Sequence, residues 1–96
     1  MKATRSSGNV FKDVGFGPAE AESLRIRAEL MVELSEFIRR KDLTQAQAAK
    51  LFGVSQPRIS DLTRGKIALF TIDMLVTMLA RAGRKVVVQT KRSRAT

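Results

Sequence analysis

Residues 45–64 read QAQAAKLFGVSQPRISDLTR, and the fold turns on how this stretch must bend. Ala49 is small enough for two helices to cross closely, and Gly53 can take the positive φ of a tight helix exit. The spacing predicts a helix from Gln45 to Gly53, a turn of about three residues, and a second helix from Gln56 to Arg64 that stops at Gly65. Ile59 and Leu62, one turn apart, mark the inner face of that second helix. Gln56, Pro57, Arg58, Ser60, Asp61 and Arg64 are left outside or at its flanks. A helix with that outer face is built to meet something polar.

The helix starts carry matching chemistry. Thr44 followed by Gln47 is a capping box, with the hydroxyl accepting from a first-turn amide and the Gln side chain returning to the cap. Ser55 caps the second helix, and Pro57 occupies its first turn, where a missing N–H removes no helical bond. Two short capped helices joined by a glycine turn are the layout of a DNA-reading helix-turn-helix.

Composition narrows the function from the other side. The chain has 96 residues, enough for one domain with one modest core. It carries 18 Lys and Arg against 9 Asp and Glu, a net charge of +9. Such an excess favours a polyanionic partner. With no Cys and no His, disulfides, Cys or His metal sites, and thiol or imidazole catalysis are excluded. The acidic residues are scattered, so no catalytic residues, metal or cofactor are expected and the chain reads as a non-enzyme. No apolar run approaches the roughly 20 residues of a membrane span, and no sorting signal is legible, so the cytoplasm is the expected compartment.

Outward from the motif, residues 1–9 are polar and basic and are expected to form a disordered tail. Val10 to Phe16 is too apolar for a tail. It is expected to lie extended across the domain and lend its aromatic rings to the core. A long helix opens at Pro18 and runs to about Lys41, with Leu24, Ala28, Met31, Leu34, Phe37 and Ile38 at helical spacing. Five of the nine acidic residues lie on it: Glu20, Glu22, Glu29, Glu33 and Glu36. From Phe37 to Ile67 seven basic residues face only Asp42 and Asp61, a net of +5, as expected beside phosphates. After a loop over Lys66 to Phe70, Thr71 caps a further helix, with Phe70 and Leu75 placed for a hydrophobic staple. Its apolar residues Ile72, Leu75, Val76, Met78, Leu79 and Ala82 predict a largely buried element.

Gly83 ends that helix. Lys85 to Thr90, centred on Val86, Val87 and Val88, has strand composition. A lone strand leaves its backbone groups unpaired. Two partners are open: the same segment of a second chain across a two-fold axis, which makes a homodimer, or Val10 to Val14 of the same chain. The domain is thus expected over residues 10–90, with the motif at 45–64, the dimerisation strand at 85–90 and a second basic tail at 91–96. The expected fold is mainly α, about four helices with a short C-terminal β-strand pairing across the dimer.

Through Thr44-Gln45, Ala49, Gly53-Val54, Gln56, Ile59 and Leu62 the chain resembles the phage-repressor-like, XRE (Cro and CI type) helix-turn-helix family. Over Asn9 to Thr90 it is similar to the small HigA-like antitoxin regulators, and its last helix and strand look like those of the HipB antitoxin. The resemblance implies a repressor that binds its own double-stranded DNA operator as a homodimer, often beside a cognate toxin. A toxin-neutralising antitoxin with DNA binding secondary is the alternative it leaves open.

The resemblance also implies roles for single residues. Gln45 contacts a phosphate, with Thr44 beside it. Gln56 reads a base, since its amide can both donate and accept at adenine N6 and N7. Ser55 meets a base edge or a phosphate. Arg58 either pairs with guanine or clamps a phosphate. Asp61 either accepts from cytosine N4 or orients Arg58. Ser60, Arg64 and Lys66 are backbone contacts. Pro57 stands where the family often carries a polar residue, which moves the reading onto its neighbours.

Overall fold

The computed structural model describes residues 15–92. The expectations for residues 1–9, for Val10 to Val14 and for 93–96 lie outside the described residues. Four α-helices and one short 3-10 turn make up the domain: α1 Pro18–Arg40, α2 Gln45–Phe52, α3 Gln56–Thr63, the turn Ile67–Leu69, and α4 Ile72–Arg81.

α1 starts on Pro18, with Glu20 in its positive first turn and Arg39 and Arg40 in its negative last turn. Its exit was not legible in the sequence. Asp42 takes φ 52°, while the Leu43 amide donates to the Ile38 carbonyl (3.0 Å) and the Asp42 amide to that of Arg39 (3.1 Å). This is a Schellman ending in which Asp stands where Gly is usual. It satisfies the last carbonyls and turns the chain by two residues into the Thr44 cap.

The core joins Met31 and Leu34 of α1, Ala48, Ala49 and Phe52 of α2, Ile59 and Leu62 of α3, then Phe70 and Leu75, Met78 and Leu79 of α4. Each fully buried Leu, Ile or Phe here stabilises the fold by about 1.5–3 kcal/mol relative to exposure. α1 packs chiefly on α4, and α2 on α3, so α1 and α4 form the bed on which the helix pair rests. The Phe37 ring meets that of Phe52 at 5.9 Å with a 59° tilt, closing the corner between α1 and α2. Ile72, Val76 and Ala82 are half-buried rather than buried, so α4 is covered on one face only.

Two expectations change. Phe16 is 40% exposed and does not belong to the buried core cluster. No strand forms among the described residues. Residues 84–92 leave α4 with the Arg84 amide on the Leu79 carbonyl (2.9 Å), and Val86 turns onto the chain's own core. Beyond it Val87 and Val88 stand 82% and 81% exposed. β-branched residues favour extended backbone, but a ladder requires a second edge, and the described part of one chain offers none.

Candidate nucleic-acid interface

The two caps that define the motif are formed. Thr44 Oγ1 accepts from the Gln47 amide (3.1 Å) while Gln47 Oε1 accepts from the Thr44 amide (2.8 Å). Ser55 Oγ accepts from the Arg58 amide at 3.3 Å. In both caps the hydroxyl proton is left over, so Thr44 and Ser55 can each still donate outward. Both are exposed.

Between the helices Gly53 adopts φ 73° and the Val54 amide closes on the Ala49 carbonyl at 2.9 Å. The side chain of Arg81, from the end of α4, lies across this turn. A Cβ at Gly53 would come within 2.8 Å of Arg81 Cδ and Nε. The turn is therefore constrained by backbone conformation and covered from outside.

Ile59 (0% exposed) and Leu62 (2%) fix which way α3 faces. Gln56, Pro57 and Arg64 are then exposed, and Arg58, Ser60 and Asp61 half-buried at the flanks. Pro57 has no amide and the Arg58 amide is held by Ser55, so the start of α3 offers chiefly side chains outward. Gln56, first on the helix and beside Ser55, is the most prominent of them. Gln45 heads α2 and is exposed; Lys66 follows α3 and is exposed too. These residues leave the domain from the ends of three consecutive elements.

Arg58 departs from its expected setting. Its Nη1 donates to the Leu69 carbonyl at 3.1 Å, and its Cζ lies 5.4 Å from the centre of the Phe70 ring. Among the ion pairs of the described residues none joins it to Asp61. A carbonyl and a ring, brought to it by the turn after α3, thus orient the guanidinium. Arg27 of α1 donates to the Phe70 carbonyl at 3.2 Å. Neither Arg27 nor Phe70 was singled out as supporting the site; partners 43 residues apart leave no local pattern to find.

Electrostatic sorting is visible in the ion pairs. Glu22, Arg25 and Glu29 form a run along α1, with Arg25 at 2.6 Å from Glu22 and 2.5 Å from Glu29. The bond from Arg25 holds the Glu22 carboxyl below the usual carboxylate range, and the bond to Glu22 raises the Arg25 guanidinium. Glu36 pairs with Arg39, and Glu33 with Arg84 at 3.8 Å. Four of the five α1 carboxylates thus neutralise nearby arginines, whereas Arg64 and Lys66 have no carboxylate partner among the described residues. Among these residues no acidic cluster could hold a metal ion, and no helix is long and apolar enough to cross a membrane.

A capped helix with its apolar side held and its polar side offered, preceded by a second capped helix across a left-handed glycine, is a helix-turn-helix DNA-binding unit. The helix-turn-helix domain family matches residues 10–91. A solved structure named as a proposed XRE family transcriptional regulator is similar at 32% identity and TM-score 0.71, over 80% of this chain and 88% of that one. No curated protein matches the chain. The chain belongs to the helix-turn-helix domain family and is of XRE type.

Proposed function

We propose that the protein is a sequence-specific, double-stranded DNA-binding transcriptional repressor that acts as a homodimer on the operator of its own operon. The observation that carries this reading is the outward set of α3, with Gln56 at its exposed start and Ile59 and Leu62 buried beneath it. Gln56, Ser55 and Asp61 are the base-reading candidates. Thr44, Gln45, Ser60, Arg64 and Lys66 are the backbone candidates. The exposed Val87 and Val88 support pairing of residues 85–90 with the same segment of a second copy, an arrangement that would present two α3 helices to one duplex. In this role the chain is not an enzyme and requires no cofactor. Footprinting on the DNA upstream of its own reading frame, with mass measured in solution, tests the proposal. A protected near-palindrome and a dimer mass are expected; a monomer that protects no site contradicts it.

One surface favours a second reading, an antitoxin whose main work is to bind a cognate toxin. A groove of about 440 Å³ runs beside α1, lined by Ala28, Met31, Val32, Leu62 and Ile67 among others, and Val32 is 58% exposed. A largely apolar groove between α1 and the end of α3 suits a protein ligand. Co-purification with the product of the adjacent reading frame, abolished by Val32→Asp, is the expected result under that reading.

A further inference from the structure

We propose that Arg58 is a positioning residue of the DNA interface: it fixes the connection after α3, and through it Lys66, and reads no base itself. The inference rests on the duplex-binding reading above. The connection from Lys66 to Phe70 is tied to α3 at both ends. The Lys66 amide donates to the Asp61 carbonyl at 3.0 Å, and at the far end Arg58 Nη1 donates to the Leu69 carbonyl at 3.1 Å. Inside the connection the Leu69 amide returns to the Lys66 carbonyl at 3.0 Å. A force on Leu69 is thereby felt at Lys66.

The guanidinium is held on its face as well as its edge. Phe70 is 1% exposed, so its ring cannot follow the arginine, and the cation sits over it with Cζ at 5.4 Å. Arg27 secures the Phe70 carbonyl from α1 at 3.2 Å. The ring under Arg58 is therefore a fixed platform. Bidentate pairing with guanine requires two N–H groups in one plane aimed at the base edge. With Nη1 donating to the Leu69 carbonyl and the ring covering one face, the Nη1 side of the fork is already engaged by the protein. An arginine suits such a place because its planar, delocalised cation can stack and donate together, which a lysine cannot do.

A double-mutant cycle on the full-length protein tests this. Arg58→Met, Lys66→Ala and the double variant are titrated against the operator duplex and single-base variants of it, from 50 to 200 mM salt, well below each protein's melting temperature. Each single change is expected to weaken operator binding roughly tenfold and lower the salt slope by about one. The double variant is expected to match the singles, because Arg58 acts through Lys66. Additive losses, roughly a hundredfold with a slope lowered by about two, would overturn the proposal by giving Arg58 a phosphate of its own. A loss confined to one base pair would make it a base reader and overturn it equally. Wild-type affinity in Arg58→Met with only a lower Tm would reduce the residue to a stabilising role and also overturn it. A wild-type chain that binds no duplex in a salt-dependent way defeats the duplex reading itself, a failure distinct from an additive cycle.

Discussion

At the scale of single residues, Gly53 shows how one position decides whether the motif can form. Its φ of 73° lies where a side chain clashes with its own backbone, at a cost of roughly 1–2 kcal/mol. Arg81 over the same turn adds a second obstacle, but a flexible arginine can swing aside. Gly53→Ala is therefore expected to lose roughly 1–2 kcal/mol in denaturant unfolding, with no recovery on adding Arg81→Ala. Recovery would show that crowding, not backbone conformation, sets the requirement. The need for Gly53 was legible in the sequence because a glycine between two capped helices has a local meaning. Asp42 was not, since nothing distinguishes an Asp that takes positive φ from one on a helix surface. Arg58 was legible as an outward polar residue and illegible in its bonding, for Leu69 and Phe70 reach it only once the chain has turned back.

At the scale of elements, capping explains why two eight-residue helices hold their ends at all, since isolated helices so short are marginal in water. Thr44→Ala removes the hydroxyl half of a capping box and is expected to cost about 1 kcal/mol. Thr44→Ser should restore most of it. Equal melting temperatures for wild type and Thr44→Ala would contradict the cap's role. α1 supplies a pH test. The carboxyl of Glu22 is depressed chiefly by its bond from Arg25, so its stabilising contribution is present above the unfolded carboxylate range. It is lost as the pH falls through and below that range. Thermal melts should thus show a small acid-side loss that Glu22→Gln flattens; the pair is exposed, so the difference is modest. The helices and both caps could be read in advance because they follow from residues within four positions of each other. The strand expected at residues 85–90 does not form among the described residues, because pairing depends on an edge that sequence neighbours do not supply.

At the scale of the whole molecule, α1 and α4 form a platform whose surface carboxylates are mostly neutralised by arginines, while Arg64 and Lys66 at the exit of α3 have no carboxylate partner among the described residues. That division lets a chain of net charge +9 present its charge where a phosphate backbone would lie. The dimer of the proposed function is the step one domain cannot supply. Val87→Asp with Val88→Asp is expected to halve the mass in solution and leave the melting of the monomer near its wild-type value, because neither valine belongs to the core. An unchanged mass would move the dimer contact elsewhere. The central claim, that the start of α3 reads a duplex groove, is tested most directly by comparing wild type with Gln56→Ala on the protected operator and on random DNA at one salt concentration. A loss of about 1–3 kcal/mol on the operator, concentrated at one base step and absent on random DNA, is the predicted result; equal loss on both would contradict it.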